Sequence, residues 1–265
     1  MQEEPRRRSL SINGIKLSIL QAGRGDPVIF VHGVVTTSNI FTRYLNANSP
    51  DFRGVAVDLR GYGDSEKPAT GFTIEHFADD LIAVADALEI ACPVWVGVSM
   101  GGLILQRLAL DHASRVRALV LVSTTDQALI VDDDPATIGA PRDFAQVSEK
   151  IITESFPPQT ERKTYQPLLD RIPTWNANVL REALTSMRTF SARGKLSAIT
   201  APTLIAVGSK DDCTTPAIAK TMQSQLPNSR LVEFDTGHFM MAEDPERFGL
   251  VLGQFLRELD GTHRA

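Results

Sequence analysis

An α/β fold with a mostly parallel sheet is the expectation from three features of the chain. Short apolar runs recur at 27–33, 54–57, 93–96, 118–122, 202–207 and 231–234. Continuous runs of this kind suit strands buried on both faces of a parallel sheet. Segments with helical apolar spacing separate them, and an alternating hairpin precedes them. A regular succession of strands and helices implies one sheet covered by helices. At 265 residues the chain suits one large domain, or a core carrying an insertion, better than three domains.

Taken in order, residues 10–12 and 16–22 alternate around Asn13-Gly14, the dipeptide that favours a tight hairpin turn. The preceding Arg6-Arg7-Arg8 has the charge of a secretory leader, but 9–20 alternates as a strand and is not a continuous apolar stretch. Ile74, Phe77, Ala78, Leu81, Ile82, Ala85 and Leu88 form one helical stripe, with Thr73 placed to cap it. A second helix, 100–110, follows the 93–96 strand directly. Pro216 and Pro245 suit first-turn positions, with Thr215 and Asp244 as caps.

The alternation breaks once. Between 122 and 202 no strand run occurs, while Asp132 to Asp134, Pro135, Pro141, Pro157, Pro158 and Pro173 punctuate helix-length stretches. The expected division is therefore a core of 1–125 and 197–265 with a helical cap, or lid, at 126–196. Its place after a strand puts it over the sheet end where ligands of open α/β sheets bind.

Composition narrows the function. Hydrophobic residues make 43% and charged residues 22%, which argues against disorder. Lys+Arg 27 against Asp+Glu 32 gives a net charge of −5, so no basic excess suits nucleic acid. No apolar run reaches the ~18–20 residues needed to cross a bilayer. Cys92 and Cys213 make neither a disulfide framework nor a zinc site. The expectation is a cytoplasmic protein acting on a small molecule, with no membrane or nucleic-acid partner.

Ser99 is the leading chemical candidate. It lies in Gly97-Val-Ser99-Met-Gly101-Gly102, between the 93–96 strand and the 100–110 helix. A bare G-x-S-x-G occurs by chance in about one chain in ten of this length, so the context carries the argument. A strand–turn–helix junction holds the serine in a strained turn, where flanking side chains would clash and glycines leave room. The hydroxyl then sits at a helix N-terminus, which favours a developing anion.

At this point the sequence resembles the α/β-hydrolase family. The ordered matches are His32-Gly33, residues 58–65, residues 97–102, Gly208 to Asp211, and Gly237-His238. The resemblance covers nearly the whole chain, and it implies a helical cap after the sixth strand. It also implies His238 as the base for Ser99. Of the five histidines, His76, His112 and His263 read as solvated residues. His32-Gly33 is implied to shape the oxyanion loop, with the backbone N–H groups of Val34 and Met100 as the oxyanion donors. For the acid, the resemblance implies Asp211 when the family's usual spacing is counted from Gly208, or Asp212 when it is counted back from Pro216, because one residue is extra here. Asp211 is favoured since the strand sets the start of the loop. Asp126 is a remote third choice. The 58–65 segment reads as a braced turn, and Cys213 as a loop residue.

Serine at 99 argues against the dehalogenase and epoxide-hydrolase branches, which use an aspartate there. Acyl transfer to water remains: an acyl-enzyme on Ser99, with no metal or organic cofactor. The 99–102 run is similar to that of carboxylesterases, enol-lactonases and perhydrolases, so the expected substrate is a small ester or lactone. Carbon–carbon hydrolases of ring-cleavage products are the closest alternative, though their elbow usually has a small polar residue where this chain has Val98. A triad protein that binds a small molecule and turns it over slowly is a third reading. Phe144, Phe156, Tyr165, Trp175 and Phe190 either line a pocket or pack the cap onto the core.

Overall fold

A computed structural model of the chain describes residues 4–42, 45, 52–128, 141–172 and 177–262. Among these, β1 (Arg6–Ile12), β2 (Ile15–Ala22), β3 (Pro27–Val31), β4 (Arg53–Val57), β5 (Val94–Val98), β6 (Ala118–Val122), β7 (Thr203–Gly208) and β8 (Ser229–Phe234) form one sheet. Its order is β1-β2-β4-β3-β5-β6-β7-β8. Pairing is antiparallel for β1/β2 and β2/β4 and parallel from β4 to β8. The α/β-hydrolase fold expected from the sequence is therefore the one observed.

Local chemistry explains the elements. Asn13 and Gly14 both have positive φ, 49° and 80°, as a type I′ turn requires. β1 starts at Arg6, three residues earlier than the alternation suggests. The reason is Arg7, which pairs with Leu20 across the hairpin and reaches Asp58 (2.6 Å) and Ser18 (2.8 Å). Every residue of β5, β6 and β7 is buried, in keeping with their unbroken apolar runs. Each large apolar side chain removed from water there contributes about 1.5–3 kcal/mol.

Helix α1 (Ile74–Ala87) is capped by Thr73, whose hydroxyl accepts from His76 N–H. Its buried face includes Val84 and Asp80, which the apolar stripe omits. Asp80 is buried because Arg60 grips it twice, at 2.6 Å each, while Asn13 donates to it at 2.9 Å. That pair ties the hairpin turn to the loop after β4. A buried carboxylate is tolerated only with partners of this quality. Helix α2 (Met100–Asp111) follows β5 after the single residue Ser99.

Between β6 and β7 lie α3 (Pro141–Glu154), α4 (Arg162–Leu169) and α5 (Ala177–Thr189). The segment leaves and rejoins the core side by side, since Ala192 N–H donates to Asp126 O at 2.8 Å. α5 is anchored on α1: Glu182 accepts from Gly71 and Phe72 N–H, and Ser186 accepts from Ile74 N–H. Phe144, Phe156 and Phe190 are buried and Tyr165 is half-buried. Trp175, Pro173, Pro135 and residues 132–134 fall outside the described residues, as does His263. After β7 come α6 (Pro216–Gln225), a single turn α7 (Met240–Glu243) and α8 (Pro245–Thr262). Thr215 and Asp244 accept from Ile218 and Arg247 N–H respectively, as the capping pattern predicts. Among the described residues no helix is long and apolar enough to cross a membrane.

Candidate active site

The site assembles at the carboxyl edge of the parallel strands, where β3, β5, β7 and β8 release their loops. Ser99 follows β5 with φ 54° and ψ −117°, a conformation that costs a non-glycine residue of order 1–3 kcal/mol. The surroundings impose it. A Cβ on Gly97 would lie 2.5 Å from Gly101 O, and one on Gly101 would collide with Val31 O. Those two glycines let α2 turn back tightly onto the strands. Ser99 N–H donates to Val122 O (2.9 Å), and Ser99 O accepts from Gly102 N–H (2.8 Å) and Thr124 Oγ1 (2.9 Å). With its own amide and carbonyl both fixed, the strained residue has nowhere to relax.

The loop after β3 lies against this turn, since a Cβ on Gly33 would be 3.2 Å from Ser99 Cβ. Among the described residues neither Val34 N–H nor Met100 N–H donates to a protein acceptor. His32 holds the start of the loop. Its Nε2 accepts from Leu59 N–H at 3.1 Å, so Nδ1 carries the proton and donates to Gly33 O at 2.8 Å. Burial pushes the ring's pKa down against the opposing pull of Asp58. His32 is thus a neutral brace with both nitrogens occupied. The far end is held by Asp58, whose Oδ1 accepts from Ser38 N–H at 2.7 Å. The 58–65 segment is accordingly a braced turn, with Asp58 also accepting from Arg7 and Asp64 N–H.

His238 follows β8, and its Nδ1 stands 2.8 Å from Asp211 Oδ2. An ionised carboxylate only accepts, so Nδ1 bears a proton, and in the neutral ring the lone pair is on Nε2. Asp211 also accepts from Cys213 N–H (3.0 Å), Thr214 N–H (2.9 Å) and Thr214 Oγ1 (2.6 Å). Burial alone would raise its pKa. The His238 charge and the His238 and Thr214 hydrogen bonds outweigh that and hold it at about 2.

Asp212 is exposed. Asp126 is buried but accepts from Gln225 Nε2 at 3.0 Å. Between Asp211 and the α6 cap Thr215, Thr214 puts its hydroxyl on the Asp211 carboxylate. Sequence reasoning missed Thr214, Thr124 and Glu243. Only the lengthened spacing before Pro216 hinted at the first. His76 is exposed beside Thr73, and His112 ends α2. Among the described residues no group of three or more His, Cys, Asp or Glu side chains is arranged to hold a metal ion.

Residues 26–245 match a family model described as alpha/beta hydrolase fold. The chain is similar to 3-oxoadipate enol-lactonase 1 of Acinetobacter baylyi, 25% identical over 88% of this chain and 89% of the relative. It is also similar to 2-hydroxymuconate semialdehyde hydrolase of Pseudomonas sp. (strain CF600), 26% identical over 96% and 95%. Among solved structures it matches a thermophilic esterase from Thermogutta terrifontis with TM-score 0.84 and 25% identity, over 96% of this chain and 99% of that one.

Proposed function

Because the chain belongs to the α/β-hydrolase family, through a match over residues 26–245, we propose that it is a serine hydrolase of small carboxylic esters or lactones. The observation that carries the reading is the 2.8 Å His238–Asp211 bond, which leaves Nε2 as a base on the sheet edge that also bears the strained Ser99. In this mechanism His238 Nε2 takes the Ser99 proton as Oγ attacks the substrate carbonyl. The oxyanion forms between the N–H groups of Val34 and Met100, each worth about 2.7–4 kcal/mol of barrier. His238 then returns the proton to the leaving alkoxide. Water, deprotonated by the same ring, releases the acid and regenerates Ser99. No metal or organic cofactor enters. Residues 126–196 serve as the cap that limits substrate size. The similarity to an enol-lactonase and an esterase supports this choice of bond.

Carbon–carbon bond hydrolysis is the second reading, favoured by the full-length similarity to 2-hydroxymuconate semialdehyde hydrolase. The test is steady-state hydrolysis of a short-chain p-nitrophenyl ester and of an aliphatic lactone by wild type and Ser99→Ala. Turnover in the wild type alone, with a fluorophosphonate adduct on Ser99, supports the ester and lactone reading. Turnover only on a vinylogous diketone moves the activity to the second reading. Equal ester turnover in both proteins removes Ser99 from the mechanism.

A further inference from the structure

Two consecutive amides in the base loop are held by two different parts of the chain. Gly237 N–H donates to Glu243 Oε1 at 2.9 Å, and His238 N–H donates to Ser155 O at 2.9 Å. Ser155 belongs to the turn between α3 and α4, inside the inserted segment. The same turn supplies Thr160, whose hydroxyl donates to the other Glu243 oxygen at 3.4 Å. It also supplies Phe156, whose ring lies 5.0 Å from Tyr165 and 5.4 Å from Phe239. A Cβ on Gly237 would meet Pro157 and Ser155 O, so base loop and turn are in direct contact. One carboxylate therefore touches both the residue before His238 and the segment that covers it.

We propose that Glu243 is a positioning residue that couples the seating of the inserted 155–160 turn to the orientation of the His238 ring. This rests on the reading of His238 as the base. The carboxylate accepts one hydrogen bond on each side, and a hydrogen bond to an ionised acceptor is about twice as strong as a neutral one. Its charge state thus sets how firmly the two segments are joined. The charged groups that act on it are Lys210, which favours ionisation, and Asp211, which opposes it. Burial is the largest influence and pushes Glu243 up to about 7. The coupling consequently changes strength in the neutral range, while Asp211 stays ionised throughout it.

The test uses the full chain as wild type, Glu243→Gln, Glu243→Ala and Thr160→Val, with a thermal melt of each as a folding control. Glu243→Gln retains an acceptor for Gly237 and a group for Thr160 but has no charge to lose. Ester turnover against pH should show in wild type an ionisation near neutrality that Glu243→Gln removes. Glu243→Ala should lower kcat about tenfold, the size expected from losing one charge-assisted hydrogen bond. It should also speed proteolytic cleavage within 155–160 and broaden the His238 Nδ1–H proton resonance, and Thr160→Val should speed the same cleavage. The proposal is overturned if the Glu243→Gln pH profile superimposes on wild type. It is equally overturned if a folded Glu243→Ala keeps wild-type cleavage and an unchanged Nδ1–H resonance. Proteolysis and the resonance need no substrate, so they report the coupling even where ester hydrolysis fails.

Discussion

Ser99 is held by a turn whose geometry is written almost entirely in adjacent residues. Gly97 and Gly101 remove the atoms that would block it, and the end of β6 fastens Ser99 through Val122 and Thr124. His238 is held instead mostly by groups from other segments, Asp211 and Thr214 after β7 and Ser155 from the insertion, with the nearby Glu243 acting through Gly237. The first arrangement is steric and indifferent to charge. The second is polar and depends on ionisation and on how the insertion is seated. Changes at the elbow should therefore act through packing, and changes at the base loop through protonation and mobility.

The largest effect should come from Asp211→Asn, which leaves His238 without a carboxylate at Nδ1. A loss of about 10⁴-fold in kcat is expected, by analogy with the triad acid of serine proteases. Asp212→Asn, exposed and outside the network, should stay near wild type, and a reversed pair of results would transfer the role of acid to Asp212. Next, Gly97→Ala should destabilise the fold by about 1–3 kcal/mol, as overpacking does, and reduce activity at every pH alike. A Gly97→Ala protein of unaltered melting temperature would show that the turn can open, against the steric account.

Thr214→Val should act more gently and only through charge. Removing the hydroxyl at 2.6 Å from Asp211 Oδ2 raises the acid from about 2 toward its ordinary 3.8. A carboxyl with a lowered folded pKa stabilises the protein above its unfolded value, and that stability is lost as pH falls toward the folded one. In Thr214→Val the protein should be less stable at neutral pH, and the acid-induced loss, which still starts at the unfolded value, should be smaller and complete at a higher pH, visible in melts between pH 5 and pH 2. Identical acid melts would show that Thr214 does not tune the acid.

Glu243→Gln should change the pH dependence of stability with the opposite sign. Glu243 has a folded pKa of about 7 against an ordinary 4.5. Its contribution is fully present below 4.5 and is lost as pH rises through about 7. The melting temperature of Glu243→Gln relative to wild type should therefore rise from pH 5 to pH 8. A constant difference across that range would mean that Glu243 keeps its ordinary pKa in the folded protein.

Much of this molecule can be read from short stretches of chain. The Asn13-Gly14 turn, the Thr73 and Thr215 caps, the apolar runs of β5 to β7 and the glycines flanking Ser99 each act over a few residues, so their chemistry survives in one dimension. Asp80 breaks its helix's apolar stripe because its partner Arg60 comes from the loop after β4. No periodicity could have shown that. Glu243 escaped notice for the same reason, since its partner Thr160 lies in the insertion.

The choice between Asp211 and Asp212 marks the boundary. Both are carboxylates in one loop, and spacing counted from either end of it favours a different one. The parallel pairing of β7 with β8, which sets Gly208 opposite Phe234, brings the two following loops together. The Cys213 and Thr214 amides then turn Asp211 inward to His238 and leave Asp212 in solvent. Backbone sterics and side-chain periodicity are local properties and belong to the sequence. Which carboxylate meets the imidazole depends on strand register and loop packing across the sheet, and those exist only once the chain has folded.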